Sequence, residues 1–367
     1  MHGLDATLDR LTERDWQRAD AGTVRFAMVG LGGWTRDRAL PAVAESTLCE
    51  TTVVVSGSTE KADRVATETP EPTRPTALTY DAFHDGDAVD EYDAVYVATP
   101  NALHLPHAAA AADHGKAVLC EKPLEATAER AERLVDACED AGVPLMCAYR
   151  MQTDPLTRTA RAAIRNGAIG EPAHVRGHMT QAILDVGGPD QWRLDPDLAG
   201  YGTSVTDLGI YPLNTTRFLL DTDPTSVTAT FRGSHPAFAN VPDERATFSV
   251  TYENDVVAEC AASQNLAQSG ELRVIGTDGE LVLSPAFYGG EDRELRLRRG
   301  STSTSLSARH VDQMREEFDY FADRVLTNRD PEPGGHHALV DMYALAAVYE
   351  SAAADRGSWV DVDVPER

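Results

Sequence analysis

Lysine is almost absent: the chain has three, Lys61, Lys116 and Lys122, beside thirty arginines. Positive charge is scarce altogether, with 33 Lys and Arg against 59 Asp and Glu and a formal net charge of −26. A surface of that sign repels nucleic acid and anionic membranes, which argues against both as partners. The five cysteines, Cys49, Cys120, Cys138, Cys147 and Cys260, are odd in number and scattered. Without CxxC or Cys/His spacing they supply neither a disulfide framework nor a metal site, and they read as reduced thiols in a cytoplasm. No stretch approaches the roughly 20 apolar residues of a membrane helix. The start lacks the apolar core and small-residue cleavage site of an export signal. Solenoid and propeller periods are missing too.

What is present fits a globular protein of two domains: 367 residues, 42% hydrophobic. Residues 1–22 carry Leu4, Leu8, Leu11 and Trp16 at near-helical spacing, which predicts a helical extension packed on the outside. Residues 23–149 alternate strand and helix patterns. Val24–Val29 runs into Gly30-Leu31-Gly32-Gly33-Trp34-Thr35 and a helical stretch over residues 38–46. Strand, glycine turn and helix are the context of a dinucleotide fingerprint, in which bare backbone approaches a pyrophosphate at a helix N-terminus. Thr35 stands where glycine or alanine is usual, so a plain glycine turn stays open on this motif alone. The next strand, residues 51–55, ends at Ser56-Gly57-Ser58, followed by Lys61 and Arg64. In such folds this position reads the adenosine ribose. Hydroxyls and cations there, with no acid between Val53 and Thr59, suit a 2′-phosphate and predict NADP over NAD; Arg36 and Arg38 add charge nearby. The alternative is a polar turn before a solvated helix.

Further on, residues 93–99 form a strand ending at Thr99-Pro100-Asn101, with His104 beyond. Residues 117–119 form another, stopped by Cys120-Glu121-Lys122-Pro123. Carboxyl ends of parallel strands are where ligands bind, and proline closes the strand behind Lys122. A chain that rations lysine keeps it where a compact, shiftable charge matters.

Residues 150–367 change pattern: strands follow strands over 174–183, 226–233, 245–252, 256–264, 271–276, 281–283 and 294–298. This predicts an α+β domain with a large, mostly antiparallel, open-faced sheet, completed by two helices over 310–326 and 336–355. Its open face predicts a homodimer or homotetramer, with alternating residues over 246–250 and 258–262 as cover. The densest chemistry lies from Gly187 to Asn214. Trp192 and Arg193 pair an aromatic with a cation, while Asp207 and Tyr211 stand four apart on one helix face. An early-turn acid and a core aromatic are the bland alternative.

The segments GLGGWT, ATPNALH, EKPLEAT, AYRMQTDP and QWRLDPDLAGYGTSVTDLGIYPLN together are similar to the Gfo/Idh/MocA oxidoreductases, in their glucose–fructose oxidoreductase and NADP-dependent aldose dehydrogenase branch. The resemblance implies a Rossmann domain followed by an open-faced sheet domain. It implies NADP-dependent oxidation of a pyranose such as D-xylose or D-glucose at C1 to the lactone. By position, Lys122, Asp207 and Tyr211 would be catalytic and, with Asn214, would bind the sugar. Tyr211 would take the anomeric proton beside the Lys122 ammonium. Gly30, Gly32, Gly33, Trp34, Thr35, Arg36, Arg38, Ser56, Ser58 and Lys61 would hold the cofactor. Thr99, Pro100, Asn101, His104, Glu121, Lys122, Arg150, Trp192 and Arg193 would join them. The acidity and lysine poverty resemble a haloarchaeal member. A related polyol or dihydrodiol oxidation, oxidoreduction of two sugars on one retained cofactor, and a non-catalytic NADP-binding sugar sensor are the competing readings.

Overall fold

A computed structural model describes residues 14, 16–69, 74–289, 292–307, 311–354 and 358–365. The chain divides into two compact units, residues 15–150 with 312–339, and residues 151–311 with 340–367. The helix expected over residues 1–22 lies mostly outside the described residues, and residues 16–22 are not helical.

In the first unit β1 (Val24–Val29), β2 (Cys49–Ser56), β3 (Thr76–Thr79), β4 (Ala94–Val97), β5 (Ala117–Glu121) and β6 (Leu145–Ala148) make one sheet in the order β3-β2-β1-β4-β5-β6. Every pairing is parallel. The strands are rich in Val, Ala and Leu because parallel sheets are buried on both faces. Helices pack against them, among them Thr59–Glu68, His104–Asp113 and Ala128–Ala141. Thr127 caps the last of these by accepting the Arg130 N–H, and Gly142 ends it in a left-handed conformation. This is the doubly wound nucleotide-binding architecture.

One expectation needs correction. The helix Gln313–Leu326, assigned by sequence order to the second domain, covers a face of the first sheet. Its Phe318 ring lies 5.2 Å from Phe26 and 4.9 Å from Tyr96, and Phe321 lies 6.1 Å from Phe26. Strands β1 and β4 leave Phe26, Met28 and Tyr96 on a face that their own connections do not finish covering, so the chain returns to bury it. Each such aromatic pair adds about 0.5–1.5 kcal/mol to its area burial. Trp16 packs edge-on to Tyr320 at 5.4 Å, and buried Asp323 accepts the N–H groups of Arg18 at 2.6 Å and Ala19 at 2.8 Å.

The second unit is built on β7 (Pro172–Ala182), β8 (Pro224–Arg232), β9 (Arg245–Tyr252), β10 (Val257–Ser263), β11 (Asn265–Gly276), β12 (Gly279–Ser284), β13 (Glu294–Arg299), β14 (Thr302–Ser307) and β15 (Val360–Asp361). Their order is β14-β13-β12-β11-β7-β10-β9-β8-β15. The pairings are antiparallel except β7 with β10. The residues expected to clothe the open face do the opposite. Ala246, Phe248 and Val250 on β9, with Ala258, Cys260 and Ala262 on β10, are buried. Strand alternation therefore sends Thr247, Ser249 and Glu259 to the other face. That face is polar and laced with ion pairs: Arg176 to Glu259 at 3.1 Å, Arg273 to Glu280 at 3.3 Å and Arg298 to Glu280 at 3.0 Å. Among the described residues no helix is long and apolar enough to cross a membrane.

Candidate active site

In the first unit Gly30 turns the chain after β1 with a φ of +93°. A Cβ there would lie 2.6 Å from the Ala98 carbonyl oxygen, so only glycine fits. At Gly32 a Cβ would meet nothing within 4 Å. The turn thus pairs a backbone packed hard on β4 with open ground before it, the cradle a pyrophosphate needs. Thr35 is buried and donates its hydroxyl to the Gly30 carbonyl at 2.5 Å, closing the turn from behind. The helix beyond begins with a π turn, Thr35–Ala39, that leaves Arg36 and Arg38 exposed.

At the end of β2, Ser56 is buried and accepts the Ser58 N–H at 3.2 Å. Ser58 caps the helix Thr59–Glu68 by accepting the Lys61 N–H at 3.2 Å, and donates its own hydrogen to Glu60 at 2.9 Å. An acid just outside the expected acid-free window therefore takes the hydroxyl hydrogen that a phosphate would use. Lys61 is half-buried.

Beyond β4 the buried Thr99 hydroxyl has no hydrogen-bond partner, an orphan of the kind a ligand satisfies. Pro100 and the buried Asn101 continue this turn. His104 is a correction: it is buried, with its ring nitrogens 3.0 Å from the Thr99 carbonyl and 3.1 Å from the Leu124 carbonyl. Its ring lies between the two loops, with an N–H able to donate to one of these carbonyls.

Glu121, ending β5, organises the rest. Its Oε1 accepts Trp34 Nε1 at 2.8 Å and the Tyr96 hydroxyl at 2.6 Å, while Oε2 accepts the Lys122 N–H at 3.2 Å. One carboxylate thus fixes the indole of the glycine turn and the backbone of the half-buried Lys122. Burial pushes the Tyr96 phenol well above its ordinary range and the Glu121 charge adds to it, so Tyr96 remains a donor. Behind lies a group that sequence reasoning missed. Glu317 is a buried carboxyl whose Oε1 lacks a hydrogen-bond partner. Burial raises its pKa well above the usual carboxylate range, Glu121 raises it further, and the Arg150 and Lys122 cations oppose both. Arg150 itself is buried and donates to Gln313. The available signal was spacing: Glu317 stands four residues before Phe321, on the face that the helix buries.

In the second unit a π turn, Val205–Gly209, leads into the helix Ile210–Leu220 and carries Asp207 just before Tyr211. Asp207 Oδ2 accepts Arg193 Nε and Gln264 Nε2, both at 2.8 Å. The Arg193 guanidinium lies 4.4 Å over the Trp192 ring. Gln264 was not foreseen; an acceptor-only carboxylate fixes its amide orientation, and its Oε1 accepts from Gln181 at 2.8 Å. Tyr211 is 7% exposed, its ring 5.8 Å from Phe287. Asn214 also departs from the expectation. It is buried, donating to Asp341 at 2.7 Å and accepting from Gln152 at 2.9 Å, so its amide serves the core and not a ligand.

Residues 24–149 match the model of the oxidoreductase family with an NAD-binding Rossmann fold, and residues 157–282 match the GFO/IDH/MocA C-terminal domain. The D-xylose 1-dehydrogenase (NADP(+)) of Haloarcula marismortui is 49% identical, over 96% of this chain and 98% of that protein. The chain belongs to the Gfo/Idh/MocA oxidoreductase family. A second family member, D-xylose 1-dehydrogenase (NADP(+)) 2 of Haloferax volcanii, is 32% identical over 92% of this chain and 99% of its own. Among solved structures, the aldose–aldose oxidoreductase of Caulobacter crescentus, complexed with glycerol, superposes with a TM-score of 0.84. It is 30% identical and covers 92% of this chain and 99% of its own.

The two glycines of this turn differ in what a side chain would meet, Gly30 packed against the Ala98 carbonyl and Gly32 open. Gly32→Ala is expected to leave the melting temperature of the ligand-free protein unchanged and to weaken dinucleotide binding by roughly tenfold or more. Gly30→Ala should lower both. Fluorescence titration and thermal melts decide; equal binding by Gly32→Ala and wild type would remove the turn from the cofactor site.

Proposed function

We propose that this oxidoreductase is an NADP-dependent aldose 1-dehydrogenase that oxidises a pyranose such as D-xylose at C1 to the aldonolactone. The observation that carries the reading is 49% identity across nearly the whole chain to a D-xylose 1-dehydrogenase (NADP(+)). When bound, the nicotinamide accepts the hydride from C1. The glycine turn, Trp34 and the Thr99-Pro100-Asn101 turn with its orphan hydroxyl would hold the dinucleotide. Asp207, clamped by Arg193 and Gln264, would take sugar hydroxyls, while Lys122 and Tyr211 handle the proton of the anomeric hydroxyl. The competing reading is transfer between two sugars on a retained cofactor. With a panel of aldoses, steady accumulation of reduced cofactor from a single sugar is expected, and its absence would favour the second reading. Lys122→Ala and Tyr211→Phe should each lower kcat by on the order of 10²–10⁴ while cofactor affinity holds. Near-normal rates in both would sink the proton assignment.

Cofactor choice rests on the turn after β2. Buried Ser56 and Lys61 offer a donor and a cation, with Arg36 and Arg38 exposed nearby. A 2′-phosphate carries nearly two charges, and bonds to it are charge-assisted. To reach Ser58 it must displace Glu60 from that hydroxyl. Ser56→Asp should shift the NADP-to-NAD efficiency ratio by roughly tenfold or more toward NAD. Lys61→Ala should move it the same way. The ratio is measured at one salt concentration, and equal use of NAD by the wild type would refute the assignment.

The enzyme is further proposed to work in a salt-rich cytoplasm and to self-associate, as a homodimer or homotetramer, through the polar face of its large sheet. The composition and the five buried thiols support the setting. Alternating Arg and Glu on that face let a second copy exchange ion-pair partners across a two-fold axis. Light scattering at molar salt should give at least twice 39.7 kDa, and a monomer would overturn this.

A further inference from the structure

Asp243 lies in the loop before β9, far in sequence from Asp207, and its carboxylate is fully buried. Oδ1 accepts the Thr203 N–H at 2.8 Å; Oδ2 accepts the Val205 N–H at 2.8 Å and the Tyr349 hydroxyl at 2.6 Å. Burial pushes this carboxyl up to about 6, against the pull of those donors. Burial also raises the Tyr349 phenol well above its usual range, and the Asp243 charge adds to it, which keeps Tyr349 a donor. The packing is close: a Cβ at Gly202 would lie 2.4 Å from Asp243 Oδ1 and 2.6 Å from the Tyr349 ring.

The backbone held this way is the entry into the π turn Val205–Gly209, two residues before Asp207. Between the two acids the link is continuous. Ser204 Oγ donates to the Glu244 carbonyl at 3.1 Å and accepts the Gln264 N–H at 3.0 Å. Gln264 in turn donates to Asp207. The Glu244 side chain anchors the other side, accepting the His235 N–H at 2.8 Å and Asn265 Nδ2 at 2.9 Å.

We propose that Asp243 is a positioning residue for the sugar half of the site: by gathering the Thr203 and Val205 N–H groups and the Tyr349 hydroxyl, it fixes the turn that carries Asp207 and so sets affinity for the sugar. Tyr349 is its partner in that role. The inference rests on the aldose dehydrogenase reading.

Three variants test it. Asp243→Asn keeps the shape but turns an amide NH₂ toward one of the donors, and should raise the sugar KM by about tenfold with the NADP KM within about twofold. Asp243→Ala should exceed it. Tyr349→Phe removes one of the three donors and should raise the sugar KM by roughly two- to fivefold, so it carries the test if the Asp243 variants do not fold. A graded rise in sugar KM in the order Tyr349→Phe, Asp243→Asn, Asp243→Ala supports the proposal. A folded Asp243→Asn with wild-type sugar KM, a loss shared equally by the cofactor, or an unchanged Tyr349→Phe overturns it. If the wild type turns over no aldose, the functional reading fails and this inference falls with it; if only the variants match the wild type, the inference alone fails.

Discussion

The first unit depends on a contact between its beginning and a helix almost at the other end of the chain. Phe26 on β1 and Tyr96 on β4 are fully buried only because Phe318 and Phe321 cover them. Burying one such side chain stabilises by about 1.5–3 kcal/mol, a large fraction of what a domain has in total. The residues that cover the nucleotide-binding sheet therefore lie in sequence beyond β7 to β14 of the second unit. The returning helix also brings Glu317, with the electrostatic influence of Glu121, Lys122 and Arg150 upon it. Covering the sheet and setting the field at the end of β5 are thus tasks of one helix.

Acidic residues do more here than coat the surface. Asp323 holds the segment from Trp16 to Ala19 by two backbone N–H groups and pairs with Arg329 at 2.5 Å. Asp341 pairs with Arg217 at 2.7 Å and takes Asn214. Glu125 pairs with Arg130 at 2.7 Å. Each is a buried carboxylate whose desolvation is offset by several donors, and removing one partner from such a site costs about 3–5 kcal/mol. Arginine supplies most of the partners, in keeping with a guanidinium that stays charged and offers a planar fork. The scarcity of lysine is consistent with this use of cations inside the protein.

The parallel sheet was legible because its signals are local: an apolar strand, glycines, then a helix. Lys122 stood out by composition, while the spacing of Asp207 and Tyr211 left a core aromatic open and the family resemblance singled them out. Other features were hidden for physical reasons. Strand β14 reads Thr-Ser-Thr-Ser-Leu-Ser and has almost no apolar alternation to announce it. Helix Gln313–Leu326 was visible as a helix, but periodicity does not say which sheet its apolar face meets. The polar side of the large sheet was inverted in expectation because alternation gives two faces without saying which is covered. Gln264 and Asp243 gain their roles only through partners distant in sequence, from Thr203 and Val205 to Tyr349.

Acidity poses a further problem that the fold answers locally. A dinucleotide with a 2′-phosphate is strongly anionic, and a chain of net charge −26 repels it at long range. Around the glycine turn the balance differs, with Arg36, Arg38 and Lys61 close to Gly32 and Ser56 in sequence. Salt separates the two contributions. At ~1 M ionic strength the screening length is about 3 Å, which removes repulsion from distant carboxylates but spares a hydrogen-bonded contact at the same scale. Glu60, already at the Ser58 hydroxyl, is exposed, so its opposition weakens as salt rises while the buried Ser56 is less affected. An acidic surface and an anionic ligand are therefore compatible where salt is plentiful, provided that selectivity rests on short-range donors at the end of β2 and not on the field of the whole protein.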